Sequence, residues 1–259
     1  MSSSGEPFYR EYVADSAFAE GYNAYQRRYA GTVRESDRVI IDLVRDLVAE
    51  RPAGAAPARL LDVGCSTGNL LLHLNREIPG LDLIGGDLMT SSLEECRANP
   101  DLAGIRFEEV DALAIGRRAE LDIVVVNAVF YMFSDEDVEA SLRSIAAALR
   151  PGGALIVFDF FHPFDQDLAI RETSPTHRNG LMLHFRPFAS AGAMARAAGL
   201  DAPTFIPFEI PIDLPRPERD DDISSYTVAA ADGRRLLYRG ALSQPWCHMV
   251  ARLPLPRDP

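Results

Sequence analysis

The chain has 259 residues, 47% of them hydrophobic, a formal net charge of −12 and no lysine, so every basic residue except histidine is arginine. That length and apolar content suit a buried core and one domain, and the acidic balance argues against nucleic acid as the default partner, since phosphate binding needs a basic footprint. Three cysteines (Cys65, Cys96, Cys247) without close pairing give no disulfide framework and no metal-type spacing.

The N-terminus lacks a basic stretch followed by an apolar core, and no apolar run approaches the roughly 20 residues that cross a bilayer. These features predict a soluble, cytoplasmic protein with no membrane contact. Residues 1–7 read as disordered. Residues 8–29 are rich in aromatics, and Tyr22, Tyr25 and Tyr29 share one helical face. Two readings stand for this segment: a helix packed on the core, or a cap over a binding site. Residues 34–49 carry Val39, Ile40, Leu43, Val44, Leu47 and Val48 in a helical stripe. Residues 51–58, rich in Pro, Ala and Gly, form a linker into the first strand.

The organising stretch is Arg59-Leu-Leu-Asp-Val-Gly-Cys-Ser-Thr-Gly-Asn-Leu-Leu-Leu72. It reads as an apolar strand, a turn with glycines at Gly64 and Gly68, and an apolar helix to about residue 76. Glycine allows the sharp turn and close approach to a ligand, and the following helix presents unpaired N–H groups to it. Residues 81–87 form a second strand ending in Asp87, placed about 20 residues past the turn to accept ribose hydroxyls. Thr90, Ser91 and Ser92 offer N-caps for a helix to about residue 98. Residues 106–111 form a third strand ending at Asp111, and residues 121–127 a fourth ending at Asn127. Ser134 caps a helix with acids in its first turn, running to about residue 149, and residues 154–161 form the fifth strand. Strands alternating with helices predict a mostly parallel sheet with right-handed crossovers, ligands binding beyond the strands' carboxyl ends.

After residue 161 the pattern weakens. Residues 162–187 show little periodicity, 190–199 suggest a short helix, and 204–214 an edge or irregular strand. Residues 223–230 and 234–242 flank Ala231-Asp-Gly233 as a hairpin, and 247–253 form a last strand.

At these motifs the sequence resembles the class I S-adenosylmethionine-dependent methyltransferases. Asp62-Val-Gly-Cys-Ser-Thr-Gly68 is similar to their first motif, with Ser66 where a middle glycine is common. Asp87 matches the ribose-binding acid, Asp111-Ala112 the pair facing the adenine, Asn127 the strand-four residue beside the methionine moiety, and residues 149–157 the turn and strand that follow. The resemblance covers roughly residues 59–161. It implies a Rossmann-like α/β fold with a mostly parallel seven-stranded sheet and helices on both faces. An N-terminal helical cap (1–57), a cofactor-binding core (58–161) and a C-terminal part with lid insertions (162–259) make one domain. The implied cofactor-binding residues are Tyr25, Asp62, Gly64, Cys65, Ser66, Gly68, Asp87, Leu88, Asp111, Ala112, Asn127 and Ala128. A small-molecule substrate and a homodimer complete the expectation, with no resident metal.

Methyl transfer is an in-line displacement that needs alignment and, for a protonated nucleophile, a base. His162, emerging after the fifth strand, is the candidate base, with Asp159 and Tyr131 beside it; the bland alternative is a polar residue at a strand end. Tyr22, Phe161, Arg186, Trp246 and His248 are candidate substrate contacts, Arg186 and Arg239 as carboxylate clamps, and Glu209 and Asp213 as partners of an amine. Asp159, His162, Asp165 and His177 match no recognisable metal pattern. Cys65 reads as a small packing residue. The expected acceptor is a nitrogen or oxygen of a small polar metabolite. Alternatives are a protein or RNA methyltransferase, a non-catalytic cofactor-binding module, and a nicotinamide oxidoreductase, which the Gly64–Gly68 spacing fits poorly.

Overall fold

The computed structural model describes residues 16–28, 31–173, 181–209, 225–229, 233–239 and 246–256. The readings placed on residues 1–7, Tyr29, His177 and Asp213, and on the side chains of Tyr22, Tyr25 and Arg239, lie outside the described residues.

Two helices, α1 (Ser16–Arg27) and α2 (Glu35–Ala49), precede the sheet. Then β1 (Arg59–Val63), α3 (Asn69–Glu77), β2 (Asp82–Asp87), α4 (Thr90–Ala98), β3 (Arg106–Glu109), β4 (Leu121–Asn127), α5 (Asp135–Ala148) and β5 (Leu149–His162) alternate as their periodicity predicts. Further on come β6 (Leu168–Glu172), β7 (Leu181–Pro187), α6 (Phe188–Ala197), β8 (Thr204–Pro207), β9 (Ser225–Ala229), β10 (Arg235–Arg239) and β11 (Trp246–Arg252). A seven-strand path runs β3-β2-β1-β4-β5-β11-β8. Its first five strands are parallel, and β11 lies antiparallel to both β5 and β8.

Two features differ from the sequence reading. The stretch 162–187 contains a hairpin: β6 pairs antiparallel with β7, and β7 pairs with the last two residues of β5, Phe161 with Arg186 and His162 with Pro187. Among the described residues the sheet therefore holds nine strands. Secondly, α4 starts after Met89 with no side-chain cap; the Thr90, Ser91 and Ser92 hydroxyls are inside the helix. Ser134 does cap α5, accepting from the Asp137 N–H at 3.2 Å.

The parallel strands are apolar on both faces because helices cover both. In β4, Val124 and Val126 join one core layer, with the buried faces of α5 and α6, while Ile123 and Val125 join the other, with α2 and α3. The α2 stripe is set by Ile40, Ile41 and Val44, each fully enclosed; burial of such side chains contributes about 1.5–3 kcal/mol apiece. Asp37 falls on the same buried face. By alternation Asp62 of β1 shares the side of Leu60, towards α2. Strand β1 is flanked by β2 on one side and β4 on the other, so chain order reverses there. That reversal opens a crevice at the carboxyl ends of β1 and β4.

Candidate active site

The turn after β1 is built on left-handed backbone. Gly64 has φ +75°, Ser66 +49° and Gly68 +76°. At Gly64 a Cβ would sit 2.6 Å from Val129 Cγ2, so both conformation and space require glycine. Ser66 adopts the conformation that a middle glycine would take freely, at a cost on the order of 1 kcal/mol. What holds it is Asp87 at the end of β2: Oδ2 accepts the Ser66 N–H and Oδ1 the Met89 N–H, both at 2.8 Å. Each carboxylate oxygen keeps a further lone pair. Burial raises the Asp87 pKa, and the N–H groups of Met89, Ser66 and Leu88 oppose that rise.

An open, partly solvent-filled cleft lies beyond these strand ends. Gly64, Ser66, Asp87, Leu88, Ala112, Asn127, Ala128 and Tyr131 line it, together with Val63, Met89, Val110, Val129, Met132 and Phe133. Of the expected cofactor residues, Asp62, Cys65, Gly68 and Asp111 stand outside this lining. Asp111 Oδ1 accepts the Leu113 N–H at 2.9 Å and so shapes the turn carrying Ala112. Cys65 is buried; its thiol pKa is pushed up by contact with Cys96 and by burial, which fits a packing role. Ala128 has φ +58°, and its N–H donates to Phe158 O at 2.8 Å.

A buried polar network backs the turn. Asp37 of α2 accepts from Asn127 Nδ2 at 3.0 Å. Burial raises the pKa of Asp37, opposed by Arg34 and Asn127. Asp62 is driven well above the usual carboxylate range by burial, then by the charges of Asp37 and Asp87. Asp62 Oδ1 is enclosed without a hydrogen-bond partner. Helix α1 closes over the same region: Asn69 Nδ2 donates to Gln26 O at 3.2 Å, and Ser92 Oγ to Asn23 Oδ1 at 2.9 Å. Sequence reasoning missed Asp37, although a carboxylate on the apolar stripe with Ile40, Ile41 and Val44 is a visible signal.

Residues 60–153 match the family model described as a methyltransferase domain. Over about this stretch the chain is similar to S-adenosylmethionine-dependent methyltransferases. Among the chain's relatives is a demethylmenaquinone methyltransferase of Thermus thermophilus, 35% identical over 121 residues, covering 46% of this chain and 52% of the relative. Another is a dTDP-3-amino-3,4,6-trideoxy-alpha-D-glucopyranose N,N-dimethyltransferase of Streptomyces venezuelae, 29% identical over 120 residues, covering 46% and 49%. The chain thus spans about half the length of these curated relatives. In fold it is similar to the 1,6-didemethyltoxoflavin-N1-methyltransferase of Burkholderia thailandensis, with TM-score 0.59 and 16% identity over 98% of this chain and 93% of that one.

The described residues expected to contact substrate do not gather at this cleft. His162 is fully enclosed, both ring nitrogens lack a hydrogen-bond partner, and burial lowers its pKa. A base must exchange its proton with the acceptor or solvent, so His162 is not placed for that task. Asp159 is also enclosed; its carboxylate accepts the N–H groups of Tyr131 (3.0 Å) and Phe160 (2.7 Å), and burial pushes its pKa to about 7. Arg186, 3% exposed, donates to Phe130 O, Phe133 O and Asp135 Oδ1, leaving no free fork for a substrate carboxylate. His248 is enclosed, touches Ser36 O at 3.3 Å, packs on Phe158, and is pushed down to about 4 by burial. Trp246 stacks on Phe158 and meets Phe160, while Phe161 packs edge-on to Phe205. Trp246 and His248 are core residues because β11, the antiparallel partner of β5, packs them on Phe158, while Phe161 enters the opposite core layer beside β7; both pairings are invisible in local sequence. Glu209 is exposed and outside the lining. Among the described residues no group of three or more His, Cys, Asp or Glu side chains gathers as a metal site, and no helix is long and apolar enough to cross a membrane.

Proposed function

We propose that the chain binds S-adenosylmethionine in the β1–β4 crevice and transfers its methyl group to a nitrogen or oxygen of a small molecule. The observation that carries this reading is the glycine turn strapped to Asp87, which leaves a carboxylate with spare lone pairs at the cleft wall. In this reading the Asp87 carboxylate accepts the ribose hydroxyls, Leu88, Met89, Val110 and Ala112 flank the adenine, and Asn127 and Ala128 border the methionine end. When bound, S-adenosylmethionine would supply a sulfonium-activated methyl for in-line displacement by the acceptor's lone pair, with the C–S electron pair returning to sulfur.

The chain's contribution is alignment and exclusion of water. Apart from Asp87, Tyr131 is the one ionisable side chain in the described lining, and a phenol protonated near neutral pH takes up no further proton, so an acceptor proton leaves to solvent. Acceptors that are nucleophilic without a strong base suit this wall. The apolar Val129, Met132 and Phe133 suit an acceptor with an apolar body, as do relatives whose names specify menaquinone or toxoflavin precursors.

The test is calorimetric titration with S-adenosylmethionine, S-adenosylhomocysteine and NADH, followed by methyl-labelled turnover on fractionated extract. Micromolar binding of the first two alone, with label entering the small-molecule fraction, is expected. Label in protein or RNA would redirect the substrate class, and NADH binding without the others would overturn the reading.

A further inference from the structure

The turn at residues 130–133 forms the cleft wall with Tyr131, Met132 and Phe133. It already closes on itself, Met132 N donating to Val129 O and Phe133 N to Phe130 O. Two buried charges nevertheless converge on its backbone. From β5, Asp159 accepts the Tyr131 N–H at 3.0 Å. From β7, the Arg186 guanidinium donates to Phe130 O at 2.9 Å through Nη1 and to Phe133 O through Nη2, while Nε pairs with Asp135 Oδ1 at 2.8 Å. Asp159 is 1% and Arg186 3% exposed. Burying a guanidinium and a carboxylate is costly unless both are fully hydrogen-bonded. A turn needing only to reverse the chain has no use for that cost. Here it fixes both ends of a four-residue segment against two strands of the sheet.

We propose that Asp159 and Arg186 are positioning residues, which hold the 130–133 turn rigid so that Tyr131, Met132 and Phe133 present a fixed wall to the bound cofactor and acceptor. This rests on the cleft being the cofactor site. Hairpin β6–β7 then has a purpose beyond extending the sheet: it delivers one guanidinium to the turn. Because Asp159 accepts from both Tyr131 and Phe160 N–H groups, an asparagine there has one acceptor oxygen for two donors on different sides.

The test uses the full chain with Arg186→Met, Arg186→Lys and Asp159→Asn, and Arg143→Met as an exposed control. Two quantities are read: backbone amide exchange of the unliganded protein by mass spectrometry, and S-adenosylhomocysteine affinity by calorimetry. Arg186→Met is expected to speed exchange at residues 130–133 about tenfold or more while β1 and β4 keep their protection. Affinity should fall about 3- to 30-fold, a loss of alignment of one wall. Arg186→Lys, which supplies fewer directed donors, should fall between, and the control should match wild type. Unchanged exchange and affinity in a folded variant, or faster exchange spread equally over β1 and β4, would overturn the proposal. If Arg186→Met does not fold, Arg186→Lys and Asp159→Asn are read by the same two criteria. Wild-type failure to bind the ligand would instead strike the cofactor reading, leaving the exchange result to judge the clamp alone.

Discussion

Replacing Asp87 by asparagine perturbs the point where the glycine turn meets the cofactor. In the wild type both carboxylate oxygens are engaged, Oδ2 with Ser66 N and Oδ1 with Met89 N, each at 2.8 Å. Asparagine keeps one acceptor and turns the other position into a donor facing an N–H. One strap of the turn is lost, and Ser66, at φ +49°, loses part of what holds it there. A hydrogen bond to a charged group is worth about 1.5–3 kcal/mol. Losing one such bond to the ribose corresponds to about a 10- to 150-fold weaker complex. Neutralising a buried carboxylate relieves a desolvation cost at the same time, so the melting temperature should change little. Calorimetric titration with S-adenosylhomocysteine measures the affinity and thermal unfolding the fold. A dissociation constant within twofold of wild type, in a variant that melts normally, would refute the ribose assignment.

The remaining expectations are equally direct. Gly64→Ala places a methyl 2.6 Å from Val129 Cγ2 on left-handed backbone, so cofactor binding should fall below detection while circular dichroism keeps its helical signal; normal binding would show that the turn is not where the ligand sits. Stability should depend on pH in an unusual direction. Asp159 is raised from 3.8 to about 7, so the folded state holds its proton more tightly than the unfolded chain; that contribution is present at low pH and lost as pH rises through about 7. At about 1.4 kcal/mol per pH unit, the difference is on the order of 4 kcal/mol. Asp37, Asp62 and Asp87 act in the same sense. Below the ordinary histidine value of 6.5 the trend is opposed, because His248, lowered to about 4, and the buried His73 and His162 stay neutral while the unfolded chain takes up protons. Most of the Asp159 difference is lost between about pH 4 and 7, so between pH 7.5 and 6.5 denaturant midpoints should rise by the equivalent of about 1 kcal/mol as pH falls, with Asp159 adding no slope above about 7.5; Asp159→Asn should flatten that rise, and a wild-type midpoint that instead falls steadily from pH 7.5 to 6.5 would contradict the burial assigned to these acids.

The local signals that were legible in the sequence are those written within a few residues. The glycine turn, the acidic end of β2, the Asn127 tip of β4 and the Ser134 cap each combine one residue type with one junction, and Gly64, Asp87 and Asn127 all line the cleft. What stayed hidden depends on partners far along the chain. His162, Trp246 and His248 are polar or aromatic residues near strand ends, the usual sign of a site. Their fate is set by β11 and β7 packing against β5, which turns them inward. Arg186 carried the right chemistry for a carboxylate clamp, and the structure gives it backbone carbonyls 53 and 56 residues away in sequence. Asp37 was missed for a different reason: the helical stripe was read from apolar positions only, and a buried acid on that stripe is the residue that the stripe does not explain.

The measurement that bears most directly on the central claim is a crystal structure of the protein grown with S-adenosylhomocysteine. The adenosyl group should lie in the β1–β4 crevice with its ribose hydroxyls on the Asp87 carboxylate and its sulfur facing the wall made by Tyr131 and Phe133. A ligand bound elsewhere, or seated in the crevice with no ribose hydroxyl on Asp87, would contradict it.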